Sequence, residues 1–362
     1  MRAVPIEYIK ENAILGDTIF SVEGVLLANK GVTLTSGLLQ KIKDNQIYTL
    51  YIEDEHSNVE INRLVQPNLR NKAMLLIKNI FQSAGFRDSN GELKSKPIHG
   101  YMDEATRTIN EVLKEIYEVQ DAPLEYVNIK SVENYLYMSS LNCGILSAMM
   151  AIGLGYKEDM VRQIFMAGVI HDIGMALIPQ SIFHKTEPFT RDEKLMILNH
   201  PKTGYEYLRD KNYINAYAKQ ATLQHHEKLD GSGYPSSIKG KDLTIISQIV
   251  GVADVFDAMT SDKPYSRAVT PNEALEFLMA SSGRFFDSQL INLFAKKIHP
   301  YPKGSLVRLN NSKIAVVDEV PKDLPLRPRV RIIEGESGSY SYKAIDLLEE
   351  RNLIIENIVY DV

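Results

Sequence analysis

Cysteine is all but missing from this 362-residue chain. Cys143 stands alone, so no internal disulfide can form, and a reducing cytoplasm is the expected compartment. Positive charge is not in excess either. The 41 Lys and Arg face 46 Asp and Glu, a formal net charge of −5, which argues against a nucleic-acid polymer as the main partner. Met1 to Glu7 lack the apolar segment of a secretory signal. Long apolar runs are also missing. The most apolar stretch, Cys143 to Tyr156, carries three glycines and falls short of the roughly 18 residues of a membrane span. It reads as a buried core helix, and no span is expected. No repeat of fixed period is present.

The remaining length allows two or three domains. Residues 1–65 read as a small β-rich module. Thr18 to Val22, Gly24 to Leu27 and Tyr48 to Ile52 are strand candidates, and Ser36 to Asn45 is a helix. The module is either regulatory or a structural appendage. Residues 66–127 form a helical linker, with apolar spacing of three and four over Leu69 to Ala84 and Tyr101 to Val119. Those helices suit a homodimer contact, a signal relay or plain scaffolding. Residues 128–300 are almost entirely helical, with helices predicted over Leu141–Leu154, Lys157–Ile170, Arg191–Asp210 and Asn272–Met279. Residues 301–362 turn to short alternating runs, among them Leu306 to Leu309, Ile314 to Val317 and Arg329 to Ile333, a small β-domain.

What is abundant is histidine in one window. His171-Asp172, His200, His225-His226 and Asp254 supply imidazoles and carboxylates, the ligand set of divalent transition metals. In consecutive helical positions, the His171 and Asp172 side chains would point about 100° apart. One carboxylate could then bridge two ions while the imidazole caps one. Asp254 lies in the apolar run Val250 to Phe256, where an unpaired charge is costly and a metal would account for it. Asp257, three residues on, would share its face and could hydrogen-bond an activated water or act as a general base. Each of these histidines alone would more often be a satisfied core residue than a ligand. His56, His99, His184 and His299 are read that way.

His171-Asp172-Ile173-Gly174, Ile178-Pro179, His200-Pro201 and His225-His226-Glu227 through Gly233-Tyr234-Pro235 resemble the HD-GYP family of metal-dependent phosphohydrolases. Ala253 to Ser261 and Phe285-Phe286-Asp287 continue the likeness. The resemblance implies a mainly α protein: an all-helical HD-type catalytic domain between the small N-terminal β-rich module and the C-terminal β-domain. It also implies two divalent ions, iron or manganese, and hydrolysis of cyclic di-GMP to the linear dinucleotide or GMP. Two cations clamp such a phosphodiester and make water acidic enough to attack. Carried over by position, His171, Asp172 and Asp254 would hold one metal. Asp172 would bridge to a second at His200 and His225, with His226 near it. Gly233, Tyr234 and Pro235 would shape the substrate loop.

Several positions depart from that pattern. The histidine expected one helix upstream is Ser139, and a glutamate of some members is Tyr135. The lysine after His171-Asp172-Ile173-Gly174 is Met175. The usual Arg-Pro-Tyr-Arg is Lys263-Pro264-Tyr265-Ser266, with Lys263 and Tyr265 kept for substrate and Arg267 displaced by one. Losing one preorganised charge typically costs about 10²–10³ in rate. Attenuated turnover is therefore expected, and a receptor that binds without turnover is the competing reading.

Overall fold

The computed structural model describes residues 1–21, 23–54, 64–88, 90–119, 134–183, 185, 187–261, 268–321, 323–335 and 340–360. The protein is mainly α, with small sheets at both ends of the chain. Strands β1 (Arg2–Pro5), β2 (Ile14–Leu15), β3 (Ile19–Phe20), β4 (Leu26–Ala28) and β5 (Thr49–Glu53) share a core with helix α1 (Ser36–Asp44). β5 is central, antiparallel to β1 and β2, and β3 pairs with β4. Val4, Leu15, Leu34, Ile42 and Leu50 form the core of this unit.

Two long helices follow, α2 (Pro67–Ala84) and α3 (Met102–Glu118). The N-terminal unit leans on α2. Lys78 donates to Glu23 at 2.8 Å and Asn71 donates to the Gly24 carbonyl at 3.2 Å.

The central bundle holds α4 (Tyr135–Gly153), α5 (Glu158–Ile170), α6 (Gln180–Phe183), α7 (Arg191–Leu198), α8 (His200–Leu208), α9 (Ala216–Gln224), α10 (Ile245–Met259), α11 (Pro271–Ala280) and α12 (Ser288–Lys297). α4 and α10 are apolar nearly all round, which fits helices at the centre of a core rather than on its surface. α4 is 19 residues long, longer than the apolar run suggests, and by length and composition alone it and the segment Glu158–Leu177 could cross a membrane. Here both are mostly buried inside the protein.

The single helix predicted over Arg191–Asp210 is two, broken at Asn199. Pro201 lacks the N–H that an uninterrupted helix needs and sits in the first turn of α8, where that absence costs nothing. Local signals set the other starts. Thr190 and Glu193 form a capping box on α7, Asn215 accepts from Ala218 N to cap α9, and Thr244 accepts from Ser247 N to cap α10.

The C-terminal sheet has the order β10-β6-β7-β8-β9, all antiparallel, from β6 (Leu306–Leu309), β7 (Ile314–Glu319), β8 (Arg329–Glu334), β9 (Ser341–Asp346) and β10 (Ile355–Val359). It returns to the first unit: Arg2 donates to the Tyr360 carbonyl at 3.0 Å, and the rings of Tyr8 and Tyr360 lie 5.4 Å apart.

Candidate metal centre

The metal-type side chains sit at helix ends, not within helices as the periodicity suggests. His171 closes α5, and Asp172 opens the 3-10 turn Ile173–Leu177. His200 begins α8, and His225 closes α9 with His226 next to it. Asp254 alone comes from a helix interior, that of α10. Helix ends let several segments converge on one point. Gly174 makes one convergence possible: a Cβ there would lie 2.0 Å from the His200 carbonyl oxygen. Glycine is the residue that lets the 3-10 turn touch α8, and this contact brings His200 onto Asp172.

Asp172 presents its two oxygens to different neighbours. Its Oδ1 is 3.0 Å from His200 Nε2 and 3.6 Å from His225 Nε2, and its Oδ2 is 3.5 Å from His171 Nε2. Asp254 does likewise, with Oδ1 3.7 Å from His171 Nε2 and Oδ2 3.7 Å from His226 Nδ1. Separations of 3.5–3.7 Å are long for hydrogen bonds. They are close to the spacing of two donors that each lie about 2.1 Å from a shared ion.

The tautomers agree. Nδ1 of His171 meets the Gly168 carbonyl at 2.7 Å, that of His200 meets the Ile197 carbonyl at 2.6 Å, and that of His225 meets the Ala221 and Thr222 carbonyls at 3.0 Å. A carbonyl only accepts, so each Nδ1 carries the proton and each Nε2 offers a lone pair to the cluster. His200 Nε2 and His225 Nε2 face each other at 3.1 Å, an arrangement that calls for a cation between lone pairs.

Electrostatics point the same way. Burial opposes charge on His171, but Asp172 and Asp254 overcome it and lift the imidazole to about 9. In the metal-free chain a proton therefore occupies His171 at neutral pH. An incoming ion must displace it, so affinity weakens as pH falls below about 9. Burial works against both carboxylates as well. The histidines beside them prevail, holding Asp172 well below the usual range and Asp254 below it. Burial pushes His225 and His226 down, keeping both neutral and able to bind metal. The donor set fits divalent ions: Asp172, His200, His225 and His226 form one group whose ligand atoms lie within 4.8 Å of one another.

The Gly-Tyr-Pro segment folds back over this cluster. The Tyr234 ring stacks on His226 with centroids 4.6 Å apart. Gly233 runs so close to the backbone of His226 and Glu227 that a Cβ would come within 2.5 Å of the His226 carbonyl oxygen. Glu227, buried, clasps the loop by accepting from Ser236 N at 2.7 Å and Ile238 N at 3.2 Å.

Residues 128–290 match the HD domain family, and residues 306–360 match the KOW domain associated with HD domains. The chain carries an HD domain that resembles those of the HD-GYP family. It is 32% identical over 228 residues to the cyclic di-GMP phosphodiesterase PA4108 of Pseudomonas aeruginosa, covering 63% of this chain and 55% of that protein. It is 40% identical over 148 residues to the cyclic di-GMP phosphodiesterase response regulator RpfG of Xanthomonas campestris pv. campestris, covering 41% and 39%. A third relative is the 3'3'-cGAMP-specific phosphodiesterase 2 of Vibrio cholerae, at 38% over 143 residues, covering 39% and 27%. The chain spans about half or less of the length of these relatives.

Within the HD domain, the structure brings His171, Asp172, His200, His225, His226 and Asp254 together, with Tyr234 against them. Asp257 faces α4 instead: its Oδ2 accepts from Ser139 Oγ at 2.5 Å and its Oδ1 from Asn142 Nδ2 at 2.6 Å. Ser139 is thus engaged with Asp257. Tyr135 reaches Ser139, and burial together with the carboxylates of Asp257, Asp254 and Asp172 raises its hydroxyl well above the ordinary value. Met175 is half-buried on the 3-10 turn. Lys263, Tyr265, Ser266 and Arg267 lie outside the described residues, as do His56 and His184. His99 packs edge-on to Tyr213 at 5.1 Å, and His299 is buried, its pKa pushed down to about 4 by burial.

Three groups were not legible from sequence motifs. Glu227 looked like part of a motif, with no sign of the loop amides it binds. Lys228 lies with its ammonium 4.2 Å over the Phe286 ring. Burial lowers it to about 8, against the pull of Asp254 and Asp230. Cys143 sits beside His171 and Asp254. The lysine two residues after the double histidine is the one sequence hint among them.

Proposed function

We propose that this chain is a metal-dependent phosphodiesterase that opens a cyclic dinucleotide, cyclic di-GMP foremost, to the linear dinucleotide or GMP. The observation that supports it best is the cluster itself: imidazole Nε2 atoms with their Nδ1 sides tied to backbone carbonyls, and two carboxylates each shared between neighbours. When bound, divalent ions supply Lewis-acid polarisation of a phosphodiester and a water acidic enough to attack near neutral pH. His171 and Asp254 would hold one ion, His200 and His225 with His226 the other, and Asp172 both. Tyr234, lying flat on His226, would present its ring edge to a base or sugar and exclude water from that side. Asp257 acts as a positioning residue. Its carboxylate pins Ser139 and Asn142, and with them α4, against α10.

Lys228 would provide the phosphate-directed charge that Met175 lacks. Its folded pKa of about 8 means that the ammonium is charged below that pH and neutral above it. Activity should therefore fall as pH rises through about 8. Lys228→Arg should move that limb upward, and Lys228→Met should lower kcat/KM by about 10²-fold. A wild-type pH–rate profile that stays flat well above pH 8 would remove Lys228 from this role.

The deciding experiment incubates purified, metal-loaded protein with cyclic di-GMP and, separately, 3'3'-cGAMP, and separates the products by chromatography. Linear product from cyclic di-GMP is expected. Calorimetric binding without product under every divalent ion tried would replace the enzyme reading with that of a receptor.

A further inference from the structure

The position where the family resemblance expects an upstream imidazole is Ser139, and its hydroxyl is committed to Asp257. One turn further along the same helix is Cys143. Its Sγ, His171 Nε2 and an Asp254 oxygen all lie within 4.8 Å of one another, each residue buried. The crossing of α4 and α5 makes this meeting possible. A Cβ on Gly168 would lie 2.7 Å from the Cys143 carbonyl oxygen and 2.8 Å from Gly144 Cα, so the two helices touch backbone to backbone just one turn before His171.

A second observation marks the same spot. His171 is fully buried, and its Nε2 has no hydrogen-bond partner. Leaving such an atom unsatisfied costs about 1–3 kcal/mol. A buried cysteine usually behaves as a small apolar side chain. That reading explains the burial of Cys143 but gives no partner to His171 Nε2, which faces the thiol and two carboxylates.

We propose that Cys143 is a thiolate ligand of the ion held by His171 and Asp254, releasing its thiol proton to solvent as the ion binds. The centre is then asymmetric. One position offers sulfur, nitrogen and oxygen, and the other offers the imidazoles of His200, His225 and His226 with Asp172. Thiolate favours thiophilic ions such as zinc, whereas imidazole and carboxylate discriminate less. The chain should therefore hold two chemically different ions. This rests on the reading of the cluster as a metal site and not on the reaction proposed for it.

Cobalt(II) titration of the metal-free chain tests this, because a thiolate bound to cobalt gives an intense near-ultraviolet charge-transfer absorption that imidazole and carboxylate ligands lack. The wild type should develop the band with the first equivalent. Cys143→Ser should lack it and bind that ion at least about 100-fold more weakly, given that losing even an outer-shell partner costs about 10–100-fold. The second ion's affinity should stay within about twofold. Cys143→Ala, with circular dichroism as the check on folding, guards against an effect of the buried hydroxyl. Cobalt bound without the band in the wild type overturns the thiolate ligand while leaving the metal site standing. No cobalt uptake at all overturns both. Loss of phosphodiester hydrolysis has no bearing on either outcome.

Discussion

Asp172→Asn should leave the protein folded, lower its metal content below that of the wild type and cut phosphodiester hydrolysis by at least about 10³-fold. Asp172 addresses both halves of the cluster at shorter range than Asp254 does, 3.0 Å from His200 on one side and 3.5 Å from His171 on the other. An amide has nearly the same shape but no charge, and its NH2 end can only repel a cation. The effect extends beyond one ligand. The Asp172 carboxylate is the foremost influence raising the His171 imidazole to about 9 against its burial, so without it His171 loses its proton more readily. The variant should thus release fewer protons on taking up metal, as well as binding less of it. Elemental analysis, a pH-stat titration and product chromatography read these three effects. A variant that keeps the wild-type metal complement and turnover would show that Asp172 bridges nothing.

The second large effect is structural. Gly174→Ala places a methyl 2.0 Å from the His200 carbonyl oxygen and 2.9 Å from Gly204 N, and both are backbone atoms that cannot swing aside. The 3-10 turn and α8 must separate to admit it. Overpacking costs typically 1–3 kcal/mol and sometimes more, and this contact belongs at the upper end, about 3 kcal/mol. For a domain of this size that is a fall in Tm of roughly 6–12 °C. Function should suffer further, because the same separation draws His200 away from Asp172. Gly37→Ala, where a Cβ meets nothing within 4 Å, is the control and should leave Tm within about 2 °C. Calorimetric melting with and without added metal distinguishes the outcomes. Equal Tm values for Gly174→Ala and Gly37→Ala would mean that the turn has room to spare.

Much of the architecture was open to reading because its causes are local. Apolar spacing located α2, α3 and α5 to within two residues, and alternation located β6, β7 and β8. Pro201 was visible too, yet one helix was predicted across it. The periodicity of apolar residues continues through a break that a single missing N–H imposes. The start of α4 was placed six residues late. Tyr135 to Ser140 are not strongly apolar, and it is contact with α10 and the site, through Ser139 and Asn142 to Asp257, that draws them into the core. Asp257 shows the same limit at the level of one side chain. Three residues from Asp254, it was expected to face the metals. In the structure its oxygens are filled by α4, because 100° per residue does not divide evenly into a shared face.

By itself, the sequence determined which metal-type side chains this protein owns. Histidine and aspartate declare their chemistry by type, and their order along the chain matched a family whose motifs are short and local. The tertiary structure alone decided how those ligands are divided. That Asp172 stands between His171 and His200, that Glu227 clasps the Gly-Tyr-Pro loop, and that Cys143 joins His171 and Asp254 all depend on close backbone approaches at Gly174, Gly233 and Gly168. Such contacts come from packing the whole core and leave no periodic trace. A lone cysteine in the composition speaks only to the redox compartment, whereas the fold sets Cys143 beside His171 and Asp254.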